Sequence, residues 1–269
     1  MRSRGLRLIL LACALLAPRG WRTPAADRLQ AAIESGTAAQ VAAQLQHGAD
    51  PNWRFANGET PLAFAILAGR YRAVQVLLAH GANPNIPDHG MSLLSLIVQS
   101  ANCPAGTVSE LLAAHADPNR HDMLSSQTPL LSALQSGAQA CAAVLLAHGA
   151  NIRARDRAGG DALDAAVMGS SAGMVSQIIA SGLAVDPVAA DGATPLMWAA
   201  LRARDAAATP AAIVAILLAH GADPCKKDVR GMTAADDARI MEFRARAARL
   251  AAACVKWQIR HPGKRRARR

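Results

Sequence analysis

Aromatic side chains are scarce in this chain, four Trp, three Phe and one Tyr among 269 residues. That is too few to line a cofactor pocket with rings, and no cofactor is expected. Long apolar runs are missing too: Leu8 to Ala17 is uncharged but holds only ten residues, against the ~20 that a membrane-spanning helix needs. The five cysteines form no C-x-x-C and no close Cys/His cluster, so a zinc site, or any metal site, is not expected. There is no P-loop, no dinucleotide glycine fingerprint and no H-E-x-x-H. Gly169-Ser170-Ser171-Ala172-Gly173 matches G-x-S-x-G in letters. That elbow requires a strand entering and a helix leaving the serine, and the surrounding pattern supplies helices on both sides. No enzyme is expected.

Acidic residues are absent from both ends, and this accounts for the net charge of +10. Residues 1–25 carry five arginines and residues 256–269 seven basic residues, which leaves 17 basic against 19 acidic residues in the body, a net of −2. The body is therefore not a polyanion-binding surface, and no specific nucleic acid is expected. The basic tail suits only a weak contact with an anionic surface, and by itself a charged chain end is solvated.

What the chain does have is a recurring phrase. LLAHGANPN (Leu77 to Asn85) returns as LQHGADPN, LLAAHADPN, LLAHGAN, IIASG and LLAHGADPC. The marker positions Gly48, Gly81, His115, Gly149, Gly182 and Gly221 are 33, 34, 34, 33 and 39 residues apart. A second phrase, TPL, keeps time with the first at Thr60, Thr128 and Thr194. Thr60 suits a helix N-cap and Pro61 the first helical position. Apolar residues then recur at helical spacing through Leu62, Phe64, Ala65 and Ile66, and after Gly69 through Val74, Val76, Leu77 and Leu78. A glycine beyond the second helix ends it in a left-handed conformation, and the Asn/Asp/Pro cluster that follows starts a turn. The recurring Asp50, Asp117 and Asp223 are turn residues on this pattern. Each unit is thus helix, turn, helix and projecting loop.

This spacing and wording resemble the ankyrin repeat, with its period of about 33 residues and its T-P-L-H-x-A hallmark. The resemblance runs from about Asp27 to Cys254. It implies an all-α solenoid of about seven helix-turn-helix units with projecting β-turn loops. The outer two act as polar-faced caps, marked by Gln30, Gln40, Gln44 and Gln46 at one end and Glu242, Arg244, Arg246 and Arg249 at the other. His115 in the glycine place and the glycine-free loop His121 to Ser126 predict an irregular junction between the third and fourth units. Longer inter-helix connections are expected near Cys103-Pro104 and from Arg202 to Pro210. His47, His80, His148 and His220 precede the marker position and are expected to bond the helix end.

The expected domains are a secretory signal at 1–25, a repeat domain at 26–255 and a disordered basic tail at 256–269. A basic start, a short apolar run and the small residues of Thr23-Pro24-Ala25-Ala26 read as a cleaved signal, which places the mature protein in a periplasm or outside the cell. Leu10-Leu11-Ala12-Cys13 is similar to a bacterial lipoprotein box, which gives the rival of a lipid-anchored chain. In an oxidising compartment the repeat register makes Cys103 with Cys141, and Cys225 with Cys254, candidate disulfides, with buried free thiols as the alternative.

Partner binding is the remaining function, because the ankyrin resemblance implies a protein partner held on the concave face of first helices and loops. Trp53, Arg54 and Phe55 on the first loop are the expected anchors. The outward positions of the first helices are expected at Ala63, Leu67, Met168, Met197 and Leu201, with Phe64 and Trp198 in the core. Arg153, Arg155 and Arg157 form a solvated basic tip. The chain is expected to be monomeric alone. By analogy with exported bacterial ankyrin proteins, its partner is expected to be a secreted toxin or effector, or a periplasmic enzyme. A membrane-surface tether using the tail and Cys13 is the alternative.

Overall fold

Seven pairs of antiparallel helices follow one another in the computed structural model, which describes residues 24–100, 102–123, 126–169, 171–202 and 209–262. Residues 1–23, which hold most of the signal expected at 1–25 and Cys13, lie outside the described residues, as do Ser170, the insertion at 203–208 and the last seven residues. The chain divides into two compact units, Met1–Met123 and Leu124–Arg269. The division falls within the loop His121 to Ser126 that the sequence marks as irregular.

The first unit holds α1 (Pro24–Ser35), α2 (Ala38–Gln46), α3 (Pro61–Leu67), α4 (Tyr71–Ala79), α5 (Leu93–Val98) and α6 (Ala105–Ala113). The second holds α7 (Pro129–Gln135), α8 (Gln139–Ala147), α9 (Ala162–Met168), α10 (Ala172–Ala180), α11 (Pro195–Leu201), α12 (Thr209–Ala219), α13 (Ala234–Ile240) and α14 (Arg244–Arg260). Helices of six to nine residues are unstable alone, so their starts are fixed chemically and their bodies by packing. Thr60, Thr128 and Thr194 accept the amide of the residue three positions on, and a proline follows each. Thr37 and Gln40 complete a capping box at α2.

First helices pack on first helices in each unit, α1 on α3 on α5 and α7 on α9 on α11 on α13. The seam between the layers is aliphatic: Leu62, Leu77, Leu93, Ile97 and Leu111 are buried in the first unit, and Leu130, Leu145, Leu163 and Leu217 in the second. Each such side chain contributes about 1.5–3 kcal/mol of burial, which a single pair cannot collect without a neighbour.

Polar side chains join successive turns. Asn52 donates to the Gly81 carbonyl and accepts the Asn83 amide, and Asn85 does the same with His115 and Asp117, at 2.7–3.1 Å. In the second unit Asp186 accepts the Asp223 amide at 2.8 Å. Asp50, Asp117 and Asp223 each accept an amide two residues on, the turn role expected of them. His115 takes the left-handed conformation of the missing glycine at φ 65°. The ring Nδ1 of His47, His80, His148 and His220 lies 2.5–2.9 Å from the carbonyl four residues back, as the sequence predicts. Within the described residues the boundary expected at 256 does not appear, because Lys256 to Arg260 continue α14.

Cys225 and Cys254 are bonded, with sulfurs 2.01 Å and Cα atoms 5.1 Å apart. Cys103 and Cys141 fall in different units.

Candidate functional site

Ala63 and Met197 are 0% and 2% exposed, which overturns the expectation that they face outward. Phe64 and Trp198, one residue later, are half-exposed instead of occupying the core. The reason is the helical start. With Thr60 as N-cap and 100° per residue, positions 62, 63, 65 and 66 turn inward, and 64 and 67 share the open face. The outward side chains on the first unit are therefore Phe64 and Leu67, the latter 51% exposed. Met168, Trp198 and Leu201 hold this role on the second.

The first loop also differs from expectation. Phe55 is buried, with its ring edge-on to Phe64 at 5.7 Å and 86°, so it is a packing residue and not a projecting anchor. Glycine-dependent closure of the loop, through the Phe55 amide on the Glu59 carbonyl at 2.8 Å, folds it inward. Trp53 is half-buried. Arg54 remains exposed and donates to the Gly58 and Pro87 carbonyls at 2.6 and 3.5 Å, tying this loop to the next. Arg155 repeats the arrangement on Gly159 and Val188 at 2.7 and 3.3 Å.

Two acidic clusters, neither legible as a linear motif, are assembled by the repeat. In the first unit Glu59, Asp88 and His89 bring one ligand-type atom each within 4.8 Å of the others. Both carboxyls are buried, and burial is the largest cause that pushes each above its ordinary range. The Asp88 charge raises Glu59 further. The second cluster surrounds a cavity of about 220 Å³ between α7, α9, α11 and the loop tips beside them. Asp156, Asp161, Asp164 and Asp191 line it together with Met168 and Trp198. Asp161 caps α9 by accepting the Leu163 and Asp164 amides, and Asp164 accepts the Asp161 amide through Oδ2 at 3.2 Å. The other oxygen of Asp164 is buried and has no hydrogen-bond donor. Burial first, then the Asp161 charge, pushes the Asp164 carboxyl up to about 7. The sequence signal for this site was a departure: Asp161-Ala162-Leu163-Asp164 stands where T-P-L-H would.

Ser171 does not form a nucleophile elbow. It is buried, and its hydroxyl accepts the Met174 amide at 3.2 Å to cap α10.

A family model described as ankyrin repeats (3 copies) matches this chain at residues 23–88, and one for the single ankyrin repeat matches at residues 126–157 and 191–229. Together these stretches span about half of the 269 residues. The chain belongs to the ankyrin-repeat family. Its ankyrin fold is similar to the human ASB11 ankyrin-repeat domain at a TM-score of 0.67 and 25% identity, over 81% of this chain and 92% of that one. The ankyrin-repeat domain of Bcl-3, a member of the IkappaB protein family, shares the fold at a TM-score of 0.67 and 23% identity, over 84% and 97% of the two chains. Among curated proteins, the nuclear factor NF-kappa-B p105 subunit of Gallus gallus is 31% identical over 172 residues, covering 62% of this chain and 17% of that protein. The ADP-ribosylation factor GTPase-activating protein AGD2 of Arabidopsis thaliana is 37% identical over 89 residues, 33% of this chain and 11% of that one. The chain spans less than a fifth of the length of either curated relative. Ankyrin repeats serve generally as protein–protein interaction modules, and the ankyrin assignment carries that coarse function with it.

Proposed function

We propose that this chain is a non-enzymatic binding protein that holds a partner protein on its exposed first-helix faces. The observation that carries the reading is the outward apolar set, Phe64 and Leu67 on one unit and Met168, Trp198 and Leu201 on the other, in a chain with only eight aromatics. Large side chains at open helix positions cost solvation and suit desolvated contact with a partner. Its amino-terminal signal pattern supports an exported protein. The finer identity of the partner, a secreted toxin to be neutralised or a periplasmic enzyme to be assisted, rests on resemblance to exported bacterial ankyrin proteins.

Capture with the tagged protein from its native envelope extract tests this. Wild type is compared with Phe64→Ser/Leu67→Ser and with Trp198→Ser/Leu201→Ser, each checked for folding by circular dichroism. One protein recovered in stoichiometric amount by wild type and lost from either folded variant is the expected result. Equal recovery by all three contradicts the assigned face.

A tether to an anionic surface is the second reading. Val255 and Ile259 are 58% and 74% exposed on the last turns of α14, beside Lys256 and Arg260. Salt-sensitive sedimentation with anionic vesicles supports it, and sedimentation equal to that with neutral vesicles contradicts it.

A further inference from the structure

The cavity in the second unit has a chemistry of its own. At about 220 Å³ it is smaller than the ~300–1,000 Å³ of ordinary small-molecule sites, and suits one side chain better than a free ligand. Four aspartates line it, and Arg155 Nη2 stands 3.9 Å from Asp161 Oδ2. That arginine is exposed and already spends Nη1 on two loop carbonyls, so it neutralises at most the rim. Arg230, which interacts with Asp191, is bonded to Asp228 at 2.7 Å. Among these lining residues Asp164 is 3% exposed, and its Oδ1 has no donor from the protein. A buried carboxylate oxygen without a donor costs about 1–3 kcal/mol, and the carboxyl that carries it belongs to a residue lining the cavity.

The arrangement discriminates among cations. The four aspartates do not gather ligand oxygens as tightly as a metal ion needs: among the described residues the one such group is Glu59, Asp88 and His89. Asp156 and Asp191 also each commit an oxygen to a backbone amide, Gly160 and Ala193 respectively. Spread acceptors beside an indole and a thioether fit a broad, planar cation. An arginine has that shape, donating in several directions at its edge and stacking by its face on Trp198.

We propose that this pocket receives an arginine side chain of the protein partner, with its guanidinium donating to the Asp164 carboxyl and its plane against Trp198. The proposal deepens the partner-binding reading and rests on it. It assigns the second unit specificity for a basic residue flanked by apolar ones, since Met168 and Trp198 line the site and also belong to the open face.

The test uses the full chain and random seven-residue peptides displayed on phage. Peptides selected on wild type are resynthesised with arginine or with citrulline, its neutral near-isostere. Affinities are then measured on wild type, on Asp164→Asn/Asp191→Asn, and on Glu34→Gln as a remote charge control. Enrichment of arginine, a loss of at least tenfold with citrulline, the same loss in the double variant and no change in the control are expected. Selected peptides without arginine that still compete with partner capture overturn the inference and leave the binding face standing. Arginine peptides indifferent to the double variant overturn it as well, because they bind elsewhere. Failure to select any peptide, together with failed capture, removes both readings. Replacing Arg265, Arg266, Arg268 and Arg269 by serine in the full chain checks the remaining occupant: a tenfold gain in peptide affinity would give the pocket to the chain's own tail and overturn the assignment to a partner.

Discussion

Asp164 shows how one residue converts a repeat position into a site. Its place in the repeat is the third position of a first helix, where the backbone already points inward, so a carboxyl there is buried before any interaction is available to compensate. The shift follows from burial and the neighbouring Asp161, opposed by the Asp161 amide bond and by Arg155, with a further push from Asp156. Because the folded value is raised from 3.8 to about 7, the folded chain binds a proton that the unfolded chain releases between those pH values. The stabilisation is complete below about pH 3.8 and is lost as pH rises through about 7, at most about 4 kcal/mol. Asp164→Asn is therefore expected to be more stable than wild type at pH 8, by about 1 kcal/mol or more, and level with it at pH 4. Urea midpoints at the two values check this, and parallel pH curves for both proteins contradict it. His115 offers the opposite case, a residue held against its preference at φ 65° while its side chain is exposed. His115→Gly should raise stability by about 0.5–1 kcal/mol, seen as a later thermal transition of the first unit.

At the scale of elements, helix ends matter more here than helix lengths. Thr-Pro starts are readable directly, since a hydroxyl acceptor and a ring lacking N–H suit those two positions and few others. The end of α11 was not readable. Arg246 of α14 donates to the Ala200 and Arg202 carbonyls at 3.0 and 2.5 Å, and its guanidinium lies 5.0 Å from the Phe243 ring centroid. A cation thereby meets the negative end of α11 from 44 residues away in sequence. In the sequence Arg246 passes for a solvated residue of a polar cap. Arg246→Met retains the stem and removes the donors, and is expected to cost about 1.5–3 kcal/mol in a denaturant titration. A cost no larger than that of Arg249→Met would contradict the role. The outward face was misread for a related reason: a single-residue change of register moves a side chain 100° around a helix, and TPL fixes the start without stating which of the next two residues points out.

For the whole molecule, covalent and electrostatic organisation follow the units. The Cys225–Cys254 bond closes a separation of 29 residues in the second unit, worth about 3–4 kcal/mol in the chain-entropy picture. Reduction is expected to lower the thermal transition of that unit by the corresponding amount. Thiol titration of the non-reduced, denatured chain should find neither Cys225 nor Cys254, and the pairing proposed for Cys103 and Cys141 predicts that they too are silent. Recovery of four reactive thiols besides Cys13 would contradict both bonds. The net of −2 over the body reflects acids that serve in turns, caps and the cavity, while the two ends carry twelve of the 29 basic residues and no acid.

The sequence by itself determined the ankyrin architecture, the seven helix pairs and the caps. These depend on short-range chemistry, glycine and proline at fixed offsets and aliphatic residues at helical spacing, repeated often enough to exclude accident. It also placed the irregular loop where the two units divide, because a missing glycine is a local fact. Which side chains remain open for a partner was decided by tertiary structure. Phe55 and Phe64, nine residues apart, are distinguished only by the edge-on contact that buries one and leaves the other half-exposed. The cavity belongs to the same category. Asp156, Asp164 and Asp191 are ordinary turn and helix residues until α9 packs between α7 and α11, after which they line one cavity open to solvent on one side, and one carboxylate oxygen of Asp164 is left without a donor.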